Sequence, residues 1–282
     1  MIDLHLHTTA SDGRSSPEAL VAEAAAAGVT TLAVTDHDTV QAVPAVRDAA
    51  ERAGLTTIAG IEITAIHDGR DIHVLGYGVD AADPDLLAFL STQRQARRDR
   101  VVSILKRLEA LGLPIDASSI MTAAIFDAGR AVGRPMVARA LVAAGHVRDV
   151  AAAFDRYLAE GRPAYVPRVG PSPAEVSDRI VRAGGVSSLA HPAKLDDYSL
   201  VRALVAGGLE AIEVYHPDHN DESVARYRAL AEAEGLVVTG GSDYHGPGSG
   251  REGGLGRIGL PPDDYARLVD RAAANAGRRR PQ

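Results

Sequence analysis

Seven short apolar runs punctuate the chain, and most are nearly continuous rather than alternating. They are IDLHLH from Ile2, TTLAVTD from Thr30, TTIAGIEI from Thr56, DIHVLGYG from Asp71, GVSSLAHP from Gly185, AIEVYH from Ala211 and LVVTGGSDYH from Leu236. Continuous runs of this kind predict strands covered on both faces. Segments with helical punctuation separate many of them. SSPEALVAEAAAAGV offers Ser16 as N-cap, Pro17 at the first helical position and Gly28 past the end, and Ser172, Pro173 and Gly184 repeat that grammar. AVRDAAERAGL ends the same way at Gly54. Strand followed by helix, several times over, predicts mostly parallel strands with right-handed crossovers. The fold class expected is α/β, a closed or nearly closed barrel of seven strands.

The pattern breaks between about residues 84 and 165, where only helical periodicity remains. Leu86, Leu87 and Leu90 begin it. Val101, Leu105, Leu108 and Leu111 continue it, then Met136, Val137, Ala140 and Leu141, and Phe154, Tyr157 and Leu158 close it. This predicts an all-helical insertion over 84–165, a lid or second wall, in a barrel built from 1–83 and 166–282.

Composition narrows the chemistry. The chain has 282 residues, 46% apolar and 24% charged, enough for a full core and ordinary for a globular protein. With no cysteine, disulfides and thiolate metal sites are excluded, so any metal must be held by nitrogen and oxygen. A net charge of −7 argues against a general nucleic-acid binder, and no stable duplex DNA binding is expected. No signal-peptide or transmembrane pattern is present, and a cytoplasmic enzyme without membrane partners is expected.

Metal-competent side chains gather at the strand ends. His5 and His7 lie two apart in an extended run and so share a face, with Asp12 in the loop beyond. TDHD brings Asp36, His37 and Asp38, the third and fourth strands bring Glu62 and His73, AHP brings His191, and GSDYH brings Asp243 and His245. In parallel α/β barrels the C-terminal strand ends share one face, and the active site sits there. Six of the ten histidines fall in this set, and burying so many ionisable groups is costly unless a cation compensates them. By contrast, His67 in HDGRD reads as solvated and His146 as a helix-end residue. His216 and His219 follow the sixth strand near the mouth.

The ordered set HLH, Asp12, DHD, Glu62, His73, AHP and GSDYH resembles the polymerase-and-histidinol-phosphatase (PHP) family of phosphoesterases, from residue 3 to about residue 257, with the insertion placed as in its nucleotide-phosphatase branch. The resemblance implies a distorted seven-stranded barrel, the PHP fold, holding three divalent metals. It assigns His5, His7, Glu62 and Asp243 to the first, a bridging Glu62 with His73 and His191 to the second, and Asp12, His37 and His245 to the third. Imidazole and carboxylate ligands suit manganese first, with iron or zinc as alternatives. Asp36 and Asp38 are expected to orient imidazoles. Two cations roughly 3.5–4 Å apart can share and deprotonate a water, giving a bridging hydroxide nucleophile. Glu62, His191 and Asp243 are the expected catalytic residues.

For a nucleotide's second phosphate the expected contacts are Arg134, whose planar fork can bind two oxygens, and Arg130, Lys194 and His219. The Met after RP departs from relatives that carry histidine there. RQARRDR reads as an exposed helix face, GPGSGREGGLG as a rim loop rather than a P-loop, and GRRRPQ as a solvated tail. The function expected is hydrolysis of the 3′-phosphate of nucleoside 3′,5′-bisphosphates. The alternatives are a 5′-to-3′ exonuclease on short RNA, and a module that holds metal without turnover.

Overall fold

The computed structural model describes residues 1–118, 120, 122, 129–250 and 252–278. The terminal run Arg279 to Gln282, which holds most of the arginine tail, lies outside the described residues.

Strands β1 (Ile2–Leu6), β2 (Thr31–Val34) and β3 (Thr56–Thr57) form a parallel sheet in that order. A second sheet runs β4 (Gly60–His67), β5 (Arg70–Tyr77), β6 (Val186–Leu189), β7 (Ala211–Tyr215) and β8 (Val237–Gly240). Single parallel bridges link the two, Leu6 with Tyr244 on one side and His37 with Glu62 on the other. The ladders are thus two sheets stitched at both edges, not one continuous seven-stranded ring.

Two expectations shift here. TTIAGIEI is two strands, because Gly60 passes so close to the Val34 carbonyl and the Thr35 methyl that a side chain there would clash. β5 pairs antiparallel with both β4 and β6 rather than parallel. The cause is local: HDGRD turns through Asp68 (φ 49°) and Gly69 (φ 79°), both left-handed, a two-residue connection whose twist matches an antiparallel hairpin. β6 to β8 return to parallel pairing.

Helices α1 (Pro17–Ala26) and α2 (Val43–Arg52) pack together beside the first sheet, over Leu20, Val21, Ala24 and Val46. The N-cap reading holds at both serines: Ser16 Oγ accepts from the Ala19 N–H at 3.2 Å, and Ser172 Oγ from the Glu175 N–H at 3.2 Å. The main core joins Leu4, Ile61, Ile63, Val74, Leu75, Tyr77, Leu189, Ile212 and Val214, all buried.

Among the described residues, 84–165 contains helices and no strand. Helix α3 (Pro84–Ala110) bridges two cores. Its Leu86 and Leu90 belong to the main core, while Val101, Ile104 and Leu108 join a separate cluster with Val137 and Leu141 of α4 (Arg134–Ala143) and Leu158. No helix among the described residues is long and apolar enough to cross a membrane.

Candidate metal centre

Glu62 is the hub of the site. Buried on β4, it places Oε2 3.3 Å from His5 Nε2, 3.3 Å from His7 Nε2 and 3.2 Å from His37 Nδ1. Its Oε1 lies 2.7 Å from His73 Nδ1 and 3.2 Å from His191 Nε2. Asp243 Oδ1 faces His5 and His7 at 3.4 Å each, and Asp12 Oδ1 lies 3.2 Å from His245 Nε2. All nine residues expected as metal ligands therefore converge, although they come from seven separate segments of chain.

Among the described residues, three groups of donor atoms are tight enough to surround an ion: His7, Asp12, His37 and His245; His5, His7 and Asp243; and His37, Glu62 and His73. Their outlines differ from the expected partition: His7 also sits with the Asp12 group, His37 with Glu62 and His73, Glu62 is not grouped with His5, His7 and Asp243, and His191 falls in none of the three.

The donors themselves test whether a metal fits. Both ring nitrogens of His7, Nδ1 of His37, His73 and His191, and Oδ1 of Asp12 are buried and make no well-aligned hydrogen bond, although several lie close to an opposite charge. Native interiors rarely leave polar atoms so orphaned, and these six belong to residues of one cluster. The tautomers agree. His5 Nδ1 lies 2.9 Å from Glu213 and His245 Nδ1 lies 2.8 Å from its neighbour's carbonyl at Asp243, so each donates from Nδ1 and keeps the Nε2 lone pair for the cluster. The residues present fit divalent cations.

The buried carboxylates create a field that favours positive charge at the cluster. Burial opposes charge on His5, but Glu213, Asp243 and Glu62 hold it well above the ordinary imidazole range. Again against burial, the Asp243 and Glu62 carboxylates beside His7 raise it to about 9. Against burial, the surrounding imidazoles hold Glu62 well below its usual range, His37 foremost, and Asp12 likewise, His245 foremost. Burial and the Lys194 charge push His191 down to about 3, a neutral ligand's state.

Backbone strain marks the same place. Among the described non-glycine residues with left-handed φ, His191 (31°), Asp38 (51°) and Asp243 (51°) are all at the site; Asp68 and Asp196 are in turns. Such conformations cost of order 1–3 kcal/mol each and persist where surrounding structure over-determines them.

Over the cluster opens a cavity of about 240 Å³, walled on the insertion side by Arg97, Arg100, Arg134, Arg168 and Phe154 and reached by Lys194. Arg134, expected as a phosphate contact, lines it, with Nη2 3.1 Å from Asp71 Oδ2 and its guanidinium over Phe154 and Tyr165. Lys194 lines it too, with Nζ 2.9 Å from Asp243 Oδ2.

Arg130 does not reach this cavity; it borders a separate groove with Met136 and Arg139. His219 does not reach it either. Its Nδ1 donates to the Val214 carbonyl (2.8 Å) and its Nε2 accepts from the Ala193 N–H (3.4 Å), so both nitrogens are spent on backbone. His216 accepts from the Asp218 N–H at Nδ1 and presents Nε2 to Asp243 Oδ2 at 3.4 Å, which steadies that carboxylate.

Asp36 and Asp38 orient other groups than imidazoles. Asp36 accepts from the Thr8 N–H, Thr8 Oγ1 and Ser11 Oγ, fixing the loop after His7. Asp38 pairs with Arg97 and Arg168.

Several residues escaped the sequence reading. Glu213, fully buried on β7, holds His5 and also accepts from the His191 N–H at 2.6 Å. Asp3 accepts from the Ser242 N–H at 2.9 Å, and burial pushes its carboxyl up to about 6. The signal was available: a carboxylate inside a continuous apolar strand has no solvent to satisfy it. RQARRDR is not a uniformly exposed face. Arg94 is buried, and Arg97 and Arg100 turn into the cavity at three-residue spacing, whereas Arg98 bonds outward to Gln95.

Comparison with known proteins agrees with this geometry. The PHP domain model matches residues 3–131. The chain is 34% identical to a 3′,5′-nucleoside bisphosphate phosphatase of Chromobacterium violaceum, covering 88% of each chain. It is 36% identical to the 5′-3′ exoribonuclease Rnm of Escherichia coli, over 87% of this chain and 85% of the relative. A solved structure of an amidohydrolase from Chromobacterium violaceum, with bound sulfate and no metal, superposes with a TM-score of 0.86 at 32% identity over 96% of both chains. With this hub of imidazoles and carboxylates, the chain belongs to the PHP family and is a metal-dependent hydrolase of phosphate esters.

Proposed function

We propose that the protein removes the 3′-phosphate of nucleoside 3′,5′-bisphosphates, releasing nucleoside 5′-monophosphate and phosphate in the cytoplasm. One observation carries the reading: a single cavity has metal-competent imidazoles and carboxylates on one wall and four arginines on the other. A substrate with two phosphates satisfies both walls at once. The bisphosphatase of Chromobacterium violaceum supports the same reading.

In this reading the two stitched sheets are the distorted seven-stranded barrel of the PHP fold, and 84–165 is the lid that carries three of the four wall arginines, Arg168 following just after it. His5, His7, Glu62 and Asp243 would hold one divalent cation, Glu62, His73 and His191 a second, and Asp12, His37 and His245 a third, manganese being the first choice. Such cations supply a nucleophile from water at neutral pH and neutralise charge on the phosphoryl oxygens. The chain's own residues do the positioning. Glu62 offers Oε1 to one set of imidazoles and Oε2 to another, the arrangement a bridging carboxylate needs. Lys194 and His216 hold Asp243 Oδ2, which leaves Oδ1 turned to His5 and His7. Glu213 fixes His5 and the backbone of His191 together. Arg134 then receives the phosphate remote from the reaction.

The Escherichia coli relative favours a second reading, trimming of short RNA from its 5′ end. Phosphate release from adenosine 3′,5′-bisphosphate with added manganese, beside AMP and a short 5′-phosphorylated RNA, separates them. Rapid release from the bisphosphate alone is expected. RNA shortening without it would replace this reading by the exonuclease, and metal binding without turnover would replace both by a non-catalytic module.

A further inference from the structure

One carboxylate braces the metal centre from a helix rather than from a strand end. Side chains on a helix tilt toward its N-terminus, so Glu23 of α1 leans back over the turn that leads into the helix. Ser15 Oγ, in that turn, donates to Glu23 Oε2 at 2.7 Å and lies 3.0 Å from Oε1. The same Oε2 accepts from Tyr244 OH at 3.0 Å. Ser15 and Tyr244 are both buried. Hydroxyls that donate to an ionised acceptor make bonds roughly twice as strong as neutral ones, so an anion holds this pair better than an amide would.

Each hydroxyl belongs to a loop that carries cluster donors. Ser15 stands three residues past Asp12 in the loop after β1, and Tyr244 stands between Asp243 and His245 after β8. Backbone bonds lace the two loops together: the Arg14 N–H donates to the His245 carbonyl and the His7 N–H to the Tyr244 carbonyl, each at 2.9 Å. The fit leaves no slack. A Cβ on Gly246 (φ 88°), directly after His245, would come within 3.0 Å of Ser15 Oγ and 3.1 Å of its N. At the front of this bracing Asp12 Oδ1 and His245 Nε2 meet at 3.2 Å, within the donor group of His7, Asp12, His37 and His245. The neighbouring donors have braces of their own. Glu213 holds His5, and Lys194 and His216 hold Asp243. Glu23 therefore bears on one donor group rather than on the whole cluster.

We propose that Glu23 is a positioning residue for the cation of the His7, Asp12, His37 and His245 group. Through Ser15 and Tyr244 it fixes the Asp12 loop against His245, and its loss weakens that cation selectively. This rests on reading the group as a cation site, and not on the identity of the substrate.

The test titrates manganese into chelator-treated protein by calorimetry and counts the metal retained per chain after desalting. The parent is compared with Glu23→Gln, Tyr244→Phe and Asp12→Asn. Asp12→Asn removes a donor and so marks the step that belongs to this group. Glu23→Gln keeps the size and loses the charge, whereas Tyr244→Phe keeps the ring and loses only the hydroxyl. Both are expected to weaken the marked step by about 10-fold or more, the usual cost of losing a partner that orients a ligand. The remaining steps should stay within about twofold. The double variant should bind little more weakly than Glu23→Gln, because the two residues share one bond. A loss spread equally over every step would reduce Glu23 to a structural brace and overturn the proposal. Parental binding in both variants, with the step lost in Asp12→Asn, would overturn it as well. Parental binding in Asp12→Asn would instead remove the cation from this group and take the role of Glu23 with it. No substrate enters the measurement, so the bisphosphate reading stands or falls separately.

Discussion

Glu213 Oε1 lies 2.9 Å from His5 Nδ1, on a strand where both residues flanking Glu213 are buried. With Oε2 it also takes the His191 N–H, so one carboxylate orients two metal-competent residues from different strands. Against burial, the His5 charge holds it down at about 2.

Glu213→Gln keeps the volume and loses the charge. It is expected to fold, and to bind manganese roughly 10–100-fold more weakly, the usual cost of losing a partner that orients a metal-bound histidine. Titration of chelator-treated protein with manganese measures this, and affinity equal to the parent's would show that the pair does not tune the site.

Glu62→Gln removes the hub itself. Activity is expected to fall by more than the roughly 10–100-fold assigned to an outer partner, with the circular dichroism spectrum retained. A folded variant turning over at the parental rate would rule out a bridging role for this carboxylate.

Asp38 links the site to acid stability. Burial raises its pKa, but Arg97 and Arg168 outweigh that and bring the folded value to about 2 from 3.8. A depressed carboxyl contributes stability that is present above the unfolded value and lost as pH falls through the folded one. The contribution is about 2 kcal/mol, present above about pH 4 and lost toward pH 2. Urea unfolding of the parent and Asp38→Asn at pH 6 and pH 3 should show the difference between them shrinking in acid; a constant gap would contradict the ion pair.

Gly241 has no room for a side chain, since a Cβ would run into the backbone N and Cβ of His5. Gly241→Ala should therefore displace β1 from the chain after β8, lowering the thermal midpoint and manganese affinity together. Overpacking of this kind costs about 1–3 kcal/mol. Unchanged values for both would mean that this close approach is not needed.

Arg130→Ala and His219→Ala should leave kcat/KM for the bisphosphate within about threefold, because neither side chain borders the cavity. Arg134→Ala should differ sharply from both. A large loss in the first two would place substrate outside the cavity.

Much of the site was legible because ligands of one metal cluster must be particular residue types at strand ends. HLH, DHD, AHP and GSDYH sit at four such ends, and a period of two puts His5 and His7 on one face without any knowledge of the fold. Glu62 was legible as a carboxylate in an apolar run, and by the same logic Glu213 and Asp3 could have been read. The cavity arginines were obscured by RQARRDR, where charge density suggested solvent although the spacing of Arg94, Arg97 and Arg100 follows one helix face.

The sequence by itself determined the residue types, the strand and helix grammar, the serine caps and the helical character of the insertion, because those rest on local sterics, periodicity and composition. Only the tertiary structure decided the antiparallel β4–β6 run, the division into two stitched sheets and the choice among arginines. Arg97 on α3 faces the cavity, and Arg130, ahead of α4, borders a separate groove because of how the insertion packs. That packing is set by contacts between residues far apart in the chain, which no local pattern encodes.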